Sequence, residues 1–219
     1  MKAHLVQKDI GNTDLTPFLE RAREAGAGLV CFGELAASGC LYTRREVEPL
    51  ATYLELFGKY DIRVMCGLPV KTEQGLRNTY LYHHRGKTQR YFKINLFGPM
   101  NEPDTYRAGS EPGVWETDFG RVGAAICYDI RFPEVFKDLM NRKVDLIFVP
   151  AAFPLVRIED WRNLLVQRAR ESGVKVIGIN AVGDDGTNVF GGSTMVIDPN
   201  GMIIAEADQQ SEMALEIEL

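Results

Sequence analysis

Residues 121–134 include the residue best suited to covalent chemistry, Cys127. The segment opens with a short apolar run, 122–126, of the kind that forms a buried strand, and it then enters a predicted helix with Pro133 in the first turn. A cysteine at a strand-to-helix turn has its sulfur beside the N–H groups and the positive dipole end of the helix, which favour a thiolate. The pattern therefore predicts a nucleophile, with a buried, inert cysteine as the alternative.

Two further ionisable residues follow predicted strands. Glu34 comes just after the buried strand 27–32, at the strand end where open α/β folds place functional groups. Lys93 follows the second strand of a predicted hairpin, 79–84 and 87–92, and is flanked by apolar residues. Each of these two residues could also have a role unrelated to catalysis. Glu34 alone would be a solvated loop residue, and Lys93 would either snorkel or be buried with a partner.

Glu34, Lys93 and Cys127 together form a set that could carry out acyl transfer. Glu34 could take the thiol proton and later activate water. The cationic Lys93 could stabilise both the thiolate and the oxyanion of a tetrahedral intermediate. The backbone N–H of Tyr128 would be the second oxyanion donor, and one such donor typically lowers the barrier by about 3 kcal/mol.

The elements that must position these residues alternate between strands and helices. Strands are predicted over 1–7, 27–32, 63–68, 79–84, 87–92, 122–126, 144–149, 174–180 and 195–197, with two more before residue 219. Helices are predicted over 14–25 and 44–60, from the Cys127 turn to 141, and over 159–172. The segment 98–113, which contains Glu102, predicts a loop. We therefore expect an α/β fold of one domain, residues 1–219, with two packed sheets and helices outside each.

Composition limits the classes of protein and partner. Of the 219 residues, 45% are hydrophobic and 25% are charged, which is an ordinary globular composition. The net charge of −5, with both signs interspersed, argues against a surface for nucleic acid or anionic membrane. The sequence contains no apolar run of about 18 residues and no recognisable signal segment, so we expect a cytoplasmic protein.

Cysteine and histidine usage argues against a metal site and against a Cys–His pair. The four cysteines lack Cys-x-x-Cys spacing and are typical of free thiols in a reducing compartment. They are Cys31, Cys40, Cys66 and Cys127. His83 and His84 are adjacent on a predicted strand, so they point to opposite faces and cannot both reach one metal ion. None of the three histidines has an evident place beside Cys127, so its base must come from elsewhere.

Three segments of the chain resemble the nitrilase superfamily of carbon–nitrogen hydrolases. They are Phe-Gly-Glu-Leu around Glu34, Phe-Lys-Ile-Asn-Leu-Phe around Lys93, and Ile-Cys-Tyr-Asp-Ile-Arg-Phe-Pro-Glu around Cys127. The cysteine segment is highly specific, whereas the glutamate segment would be weak alone. The helix around Trp161 and the glycine-rich residues 191–201 match as well, so the resemblance covers nearly the whole chain.

The resemblance implies a four-layer αββα sandwich of two mixed sheets with outer helices. It also implies a triad of Glu34, Lys93 and Cys127 that forms a thioester acyl-enzyme without a metal ion or an organic cofactor. A second family glutamate supports the site a few residues after the lysine, and Glu102 is its best match here. Relatives commonly form homodimers through the face near the cysteine helix, so a homodimer or a higher homo-oligomer is expected.

Within the superfamily, the Cys127 segment and the Pro-Ala-Ala-Phe segment at 150–153 look most like the omega-amidase-like branch. Its members hydrolyse terminal amides of small dicarboxylic acid monoamides or related peptides. There, the arginine that matches Arg131 and the phenylalanine that matches Phe153 line the substrate pocket. The resemblance therefore implies an amidase that releases ammonia from a small, carboxylate-bearing omega-monoamide.

The chain also departs from the superfamily pattern. It is shorter than most relatives around the first two helices and in two loops, it ends at the last strand, and Asp160 stands where relatives often carry histidine. Without the resemblance, Arg131 would be a surface arginine that pairs with Glu134 or Asp138. Two alternatives stay open: an N-carbamoyl or nitrile hydrolase on the same scaffold, and a catalytically silent relative that acts as a binding or scaffold subunit.

Overall fold

The computed structural model describes residues 1–39, 42 and 46–219, which form two six-stranded mixed sheets, a two-stranded sheet of Val182–Asp184 and Val189–Gly191, and helices. Cys40 and the predicted start of the second helix at residue 44 lie outside these described residues. The strands are β1 (Lys2–Gln7), β2 (Leu29–Phe32), β3 (Arg63–Thr72), β4 (Gly75–His84), β5 (Lys87–Phe92), β6 (Gly113–Thr117), β7 (Gly120–Ala124), β8 (Leu146–Pro150), β9 (Lys175–Ile179), β10 (Val182–Asp184), β11 (Val189–Gly191), β12 (Met195–Ile197), β13 (Ile203–Glu206) and β14 (Met213–Glu218).

Helices connect the strands and cover the sheets. They are α1 (Thr16–Glu24), α2 (Leu50–Gly58), α3 (Glu102–Thr105), α4 (Pro133–Asn141) and α5 (Ile158–Ser172). Short 3₁₀ turns occupy Gly98–Met100, Cys127–Arg131 and Leu155–Arg157. Within the described part of the chain, no helix is long and apolar enough to cross a membrane.

The two large sheets have the same internal plan. The first has the order β14-β1-β2-β3-β4-β5 and the second has the order β13-β12-β9-β8-β7-β6. In each, three neighbouring strands run parallel, β1 to β3 in one and β7 to β9 in the other. The flanking strands pair antiparallel. Within each sheet, the parallel strands have their carboxyl ends at the same edge. Residues that follow β2 in the first sheet can therefore lie close to residues that follow β7 and β8 in the second.

The order of the layers follows from the alternation of side chains along the strands. In β1 and β2, Leu5 and Cys31 belong to the core shared with the second sheet, whereas Val6 and Phe32 pack toward α1 and α2. Helices α4 and α5 pack against the second sheet, with Trp161 fully buried beneath it. The layers therefore run helix, sheet, sheet, helix, and the predicted four-layer α/β sandwich is confirmed.

Most predicted elements are present, and the differences have local causes. The hairpin of β4 and β5 turns at Arg85 and Gly86 as predicted. Helix α2 begins at Leu50 rather than near residue 44, since the residue before Pro49 is disfavoured in helical conformation. The loop predicted over 98–113 contains a 3₁₀ turn and the short helix α3, which begins at Glu102 with a proline in its first turn.

Candidate active site

Cys127 opens a tight turn directly after β7. Its φ of +45° lies in the left-handed region, which residues with a side chain seldom adopt and which costs on the order of 1–3 kcal/mol. The buried carboxylate of Asp129 holds this turn by accepting the Ile126 N–H at 2.9 Å. It also accepts the Tyr91 hydroxyl at 2.7 Å and the Asn95 N–H at 2.8 Å, which ties the cysteine turn to the lysine segment.

A second anchor for the cysteine turn comes from α5. Arg168, which is buried, donates from Nε to the Ile130 carbonyl at 2.9 Å. Its guanidinium lies 5.4 Å from the centre of the Phe136 ring and pairs with Glu171. The helix around Trp161, which takes part in the family resemblance, thus supports through Arg168 the backbone that carries Cys127.

The Glu34 segment packs against a glycine in the neighbouring strand. Gly67 of β3 donates its N–H to the Gly33 carbonyl at 3.1 Å and accepts the Ala36 N–H at 2.8 Å. A Cβ atom at position 67 would lie 2.3 Å from the Gly33 oxygen and 2.7 Å from the Glu34 Cα. Because such separations are too short for non-bonded atoms, only glycine lets β3 hold Glu34 in this place.

Four buried polar side chains form a closed hydrogen-bonded cluster. Lys93 donates from Nζ to Glu34 Oε1 at 2.8 Å and to Glu102 Oε2 at 2.9 Å. Asn78 donates from Nδ2 to Glu34 Oε1 and to Glu102 Oε1, both at 2.7 Å. The exposed fractions of Glu34, Asn78, Lys93 and Glu102 are 2%, 1%, 0% and 0%. Lys93 is therefore buried with partners, which decides between its two predicted interpretations.

The two carboxyl groups of the cluster favour the protonated, cationic form of Lys93. Burial alone lowers the pKa of Lys93, but Glu34 and Glu102 outweigh it and raise that pKa well above its usual value. Burial raises the pKa of Glu102, although Lys93 opposes this shift. The Tyr42 hydroxyl donates to Glu34 Oε1 at 3.2 Å, and the Ala152 N–H donates to Glu34 Oε2 at 3.3 Å. The site thus holds an ammonium group between two hydrogen-bonded carboxyl groups.

The Cys127 thiol has a raised pKa, so the predicted thiolate is wrong for the resting protein. Burial is the largest cause and the nearby Glu34 the second, while Lys93 and the Ala152 N–H act in the opposite direction. The helix that was expected to favour a thiolate is a five-residue 3₁₀ turn here, and α4 begins only at Pro133. Because a raised pKa favours the protonated thiol, attack requires a base, and Glu34 is the carboxylate beside it.

A cavity of about 250 Å³ opens from Cys127 to the surface. Its lining residues are Tyr42, Phe97, Pro99, Met100, Cys127, Tyr128, Arg131, Ala152, Phe153, Pro154, Val156, Arg157, Asn188 and Phe190. The Tyr128 ring packs edge-on against Phe97 and Phe132, with ring centres 5.0 and 5.2 Å away. The Asp129 N–H closes the Cys127 turn on the Ile126 carbonyl at 2.9 Å. The start of such a turn has no internal acceptor for the N–H groups that come earlier, so the Tyr128 N–H is suited to bind an oxyanion. The volume suits a small substrate.

Arg131 and Phe153 form one wall of the cavity mouth. Arg131 Nη2 lies 2.9 Å from Asp160 Oδ2, so the alternative that paired it with Glu134 or Asp138 is wrong. The sequence does not indicate this partner, because α5 lies far from the cysteine turn along the chain. The Arg131 guanidinium also lies 5.7 Å from the centre of the Phe153 ring, which packs on Trp161.

The structure brings all the predicted site residues to one site. Cys127, Tyr128, Arg131 and Phe153 line the cavity. The buried cluster of Glu34, Lys93 and Glu102 lies behind Cys127 and forms the closed end of the site. Sequence reasoning missed several supporting groups: Gly67, Asn78, Asp129 and the Ala152 N–H. The sequence offers one signal for these groups, the polar Asn78 directly before the predicted strand 79–84. Within the described residues, no group of three or more His, Cys, Asp or Glu side chains could hold a metal ion.

Comparisons with known proteins place this geometry among carbon–nitrogen hydrolases. The family described as carbon-nitrogen hydrolase matches residues 7–219. The chain is 34% identical over 155 residues to 2-oxoglutaramate amidase of Bacillus subtilis (strain 168), covering 69% of this chain and 60% of that protein. It is 36% identical over 181 residues to deaminated glutathione amidase of Yersinia enterocolitica, covering 75% and 63%. The aligned chain thus spans less than two thirds of either relative.

A solved structure shows the same fold. It is a mutant of the amidase from Nesterenkonia sp. AN1 after Michael addition of acrylamide at the active-site cysteine. The TM-score is 0.90 at 24% sequence identity, and the likeness covers 100% of this chain and 93% of that one. At this identity the likeness supports the two-sheet architecture and says nothing about the substrate.

Proposed function

The chain belongs to the carbon–nitrogen hydrolase family, and on that premise we propose that it hydrolyses the terminal amide of a small, carboxylate-bearing monoamide and releases ammonia. The observation that carries the proposal is the buried cluster of Glu34, Lys93 and Glu102 beside the Cys127 thiol. A relative named for 2-oxoglutaramate, a carboxylate with a terminal amide, supports the substrate class.

In the first half of the proposed reaction, Cys127 Sγ attacks the amide carbonyl carbon. The thiol proton passes to the Glu34 carboxylate as the C–S bond forms. Lys93 Nζ and the Tyr128 N–H stabilise the oxyanion of the tetrahedral intermediate. The intermediate collapses when the C–N bond breaks, Glu34 returns the proton to the leaving nitrogen, and ammonia departs from a thioester acyl-enzyme.

In the second half, water replaces ammonia at the same position. Glu34 accepts a proton from the water as its oxygen attacks the thioester carbon. The C–S bond then breaks, the proton returns to the Cys127 sulfur, and the carboxylic acid product leaves. Glu102 and Asn78 do not touch the substrate in this scheme, and they position Lys93 and Glu34.

Substrate screening with the wild-type protein tests the proposal. We expect ammonia release from succinamate, glutaramate and their 2-oxo analogues, and none from the Cys127→Ala variant. Faster turnover of N-carbamoyl amino acids or of simple nitriles would replace the amidase assignment by one of the alternatives on the same scaffold. No turnover of any of these compounds, with an unreactive Cys127, would favour the catalytically silent relative.

Three further properties are proposed from the sequence. The resemblance supports assembly as a homodimer or a higher homo-oligomer. The pattern of elements supports a single domain over residues 1–219, and the composition and charge support a cytoplasmic location without nucleic-acid or membrane partners. Light scattering after gel filtration measures the assembly, and a single cooperative unfolding transition is the expected behaviour of one domain. A monomeric mass in solution would contradict the first of these proposals.

A further inference from the structure

Two arginines line the cavity, and they differ in their surroundings. Arg131 is paired with Asp160 at 2.9 Å and lies against Phe153. Arg157 is exposed and has no hydrogen-bond or ion-pair partner for its guanidinium among the described residues. Since an unpaired arginine at a cavity mouth has its full charge and all its donors available, Arg157 requires a separate explanation.

The backbone that carries Arg157 is fixed, so its side chain starts from a defined position. The Phe153 N–H donates to Asn180 Oδ1 at 2.6 Å, and the Gly191 N–H donates to the Phe153 carbonyl at 3.1 Å. The Arg157 N–H closes the following turn on the Pro154 carbonyl at 3.0 Å. Gly191 also packs closely beneath this turn, where a Cβ atom would lie 2.9 Å from the Leu155 Cα.

Charge at the mouth points to an anionic ligand. Among the described lining residues, the charged side chains are Arg131 and Arg157, and none is acidic. Asp160 offsets the charge of Arg131, so Arg157 supplies the uncompensated positive charge in a protein whose net charge is −5. Much of the remaining lining is apolar, which suits a short hydrocarbon spacer between the two polar ends of a ligand.

We propose that Arg157 is a specificity-determining residue that binds the substrate carboxylate together with Arg131. This inference rests on the proposed function, because it assumes that the amide carbon lies at Cys127. It assigns the substrate to aliphatic monoamides with a terminal anionic group, held by Cys127 at one end and by two guanidinium groups at the other. The Arg157 guanidinium is free before the substrate binds. Arg131 must either give up its ion pair with Asp160 or bind the substrate carboxylate while it stays paired.

Ligand binding to the Cys127→Ala variant tests Arg157 without requiring turnover. Calorimetry would compare glutaramate with glutaramide, in which a neutral amide replaces the carboxylate. Adding Arg157→Met should weaken glutaramate binding about tenfold and leave glutaramide binding within twofold, since a charge-assisted contact is lost only with the anion. Arg157→Lys should retain part of the preference. Arg90→Met, which removes an exposed arginine outside the cavity, should change neither affinity.

Several results would overturn the inference. They are undetectable glutaramate binding to Cys127→Ala, an unchanged preference in Arg157→Met, or an equal loss for both ligands. Hydrolysis by the wild-type protein is measured separately. If the wild type hydrolyses neither amide while anion binding still depends on Arg157, the proposed function fails and the inference stands. If the wild type hydrolyses amides and Arg157→Met behaves like the wild type, the inference fails and the proposed function stands.

Discussion

The two ends of the site, the buried cluster behind Cys127 and the mouth of the cavity, are built differently. At the closed end, Glu34, Lys93 and Glu102 are almost fully buried, and each charge has its partner within 2.9 Å. At the mouth, the side chains of Arg131 and Asp160 are 30% and 54% exposed, and their pair faces solvent. The closed end is shielded from solvent, whereas the mouth lies at the surface.

This difference separates the reaction from the choice of substrate. Buried charges stabilise the fold only while all partners are present, since removing one leaves the others without solvent or counter-charge. Exposed pairs contribute little to stability because water and salt screen them. Changes at the closed end should therefore affect both activity and folding, whereas changes at the mouth should affect selectivity alone.

The largest expected effect on activity comes from Glu34→Gln. This change keeps the shape of the side chain and removes the base, so acylation should fall by roughly 10²–10⁴-fold. Single-turnover kinetics with glutaramate would measure it, and Glu55→Gln, on the exposed face of α2, is the control. Turnover within a few-fold of the wild type would show that another group takes the thiol proton.

Lys93→Met should have the largest effect on stability. It leaves the carboxyl groups of Glu34 and Glu102 buried without their cation, which should lower the free energy of unfolding by about 3–5 kcal/mol. The loss should be smaller at pH 5 than at pH 8, because a carboxyl group with a raised pKa becomes neutral as the pH falls and then needs no cation.

Urea unfolding at the two pH values would measure the Lys93→Met effect. Lys87→Met, at an exposed position of β5, the strand that ends just before Lys93, should change the unfolding free energy by less than about 0.5 kcal/mol. A loss in Lys93→Met that is independent of pH, or no larger than in the control, would mean that the cluster does not depend on its cation.

Gly67→Ala should have an intermediate effect on the closed end. The added methyl group would displace the Glu34 backbone, so we expect a loss of about 1–3 kcal/mol in unfolding free energy together with reduced turnover. Gly58→Ala is the control, because a Cβ atom there meets no neighbour within 4 Å and alanine favours a helix. If both variants behaved alike, the close approach of β3 to Glu34 would have no functional consequence.

Arg131→Met should have the smallest effect on the fold. Its unfolding free energy should change by less than about 1 kcal/mol, since the pair with Asp160 is exposed. The kcat/KM for glutaramate should fall by about tenfold while that for glutaramide hardly changes, because a charge-assisted contact is made only with the anion. An equal loss for both substrates would assign Arg131 to support of the cysteine turn instead.

The sequence alone predicts the elements whose signals are local. The strand-to-helix turn at Cys127, the β4–β5 hairpin and the α5 helix around Trp161 all follow from apolar spacing, glycine and proline within a few residues. The resemblance supplied the candidate roles of Glu102 and Arg131, which spacing could not.

What the sequence could not predict depends on contacts between distant segments. Asn78 and Gly67 lie in strands like other residues, and their importance arises because β3 and β4 pass beside Glu34 and Glu102. The Cys127 pKa was predicted in the wrong direction because burial and a neighbouring carboxylate, both tertiary properties, outweigh a short turn of helix.

The most direct test of the account is the intact mass of the protein during turnover. Rapid acid quenching of the wild type with glutaramate should reveal a mass increase equal to the substrate minus ammonia, and peptide mapping should place it on Cys127. The adduct should be absent from Cys127→Ala, which should unfold like the wild type. An adduct on Cys31, Cys40 or Cys66, or steady ammonia release from Cys127→Ala, would contradict the claim that Cys127 forms the acyl-enzyme.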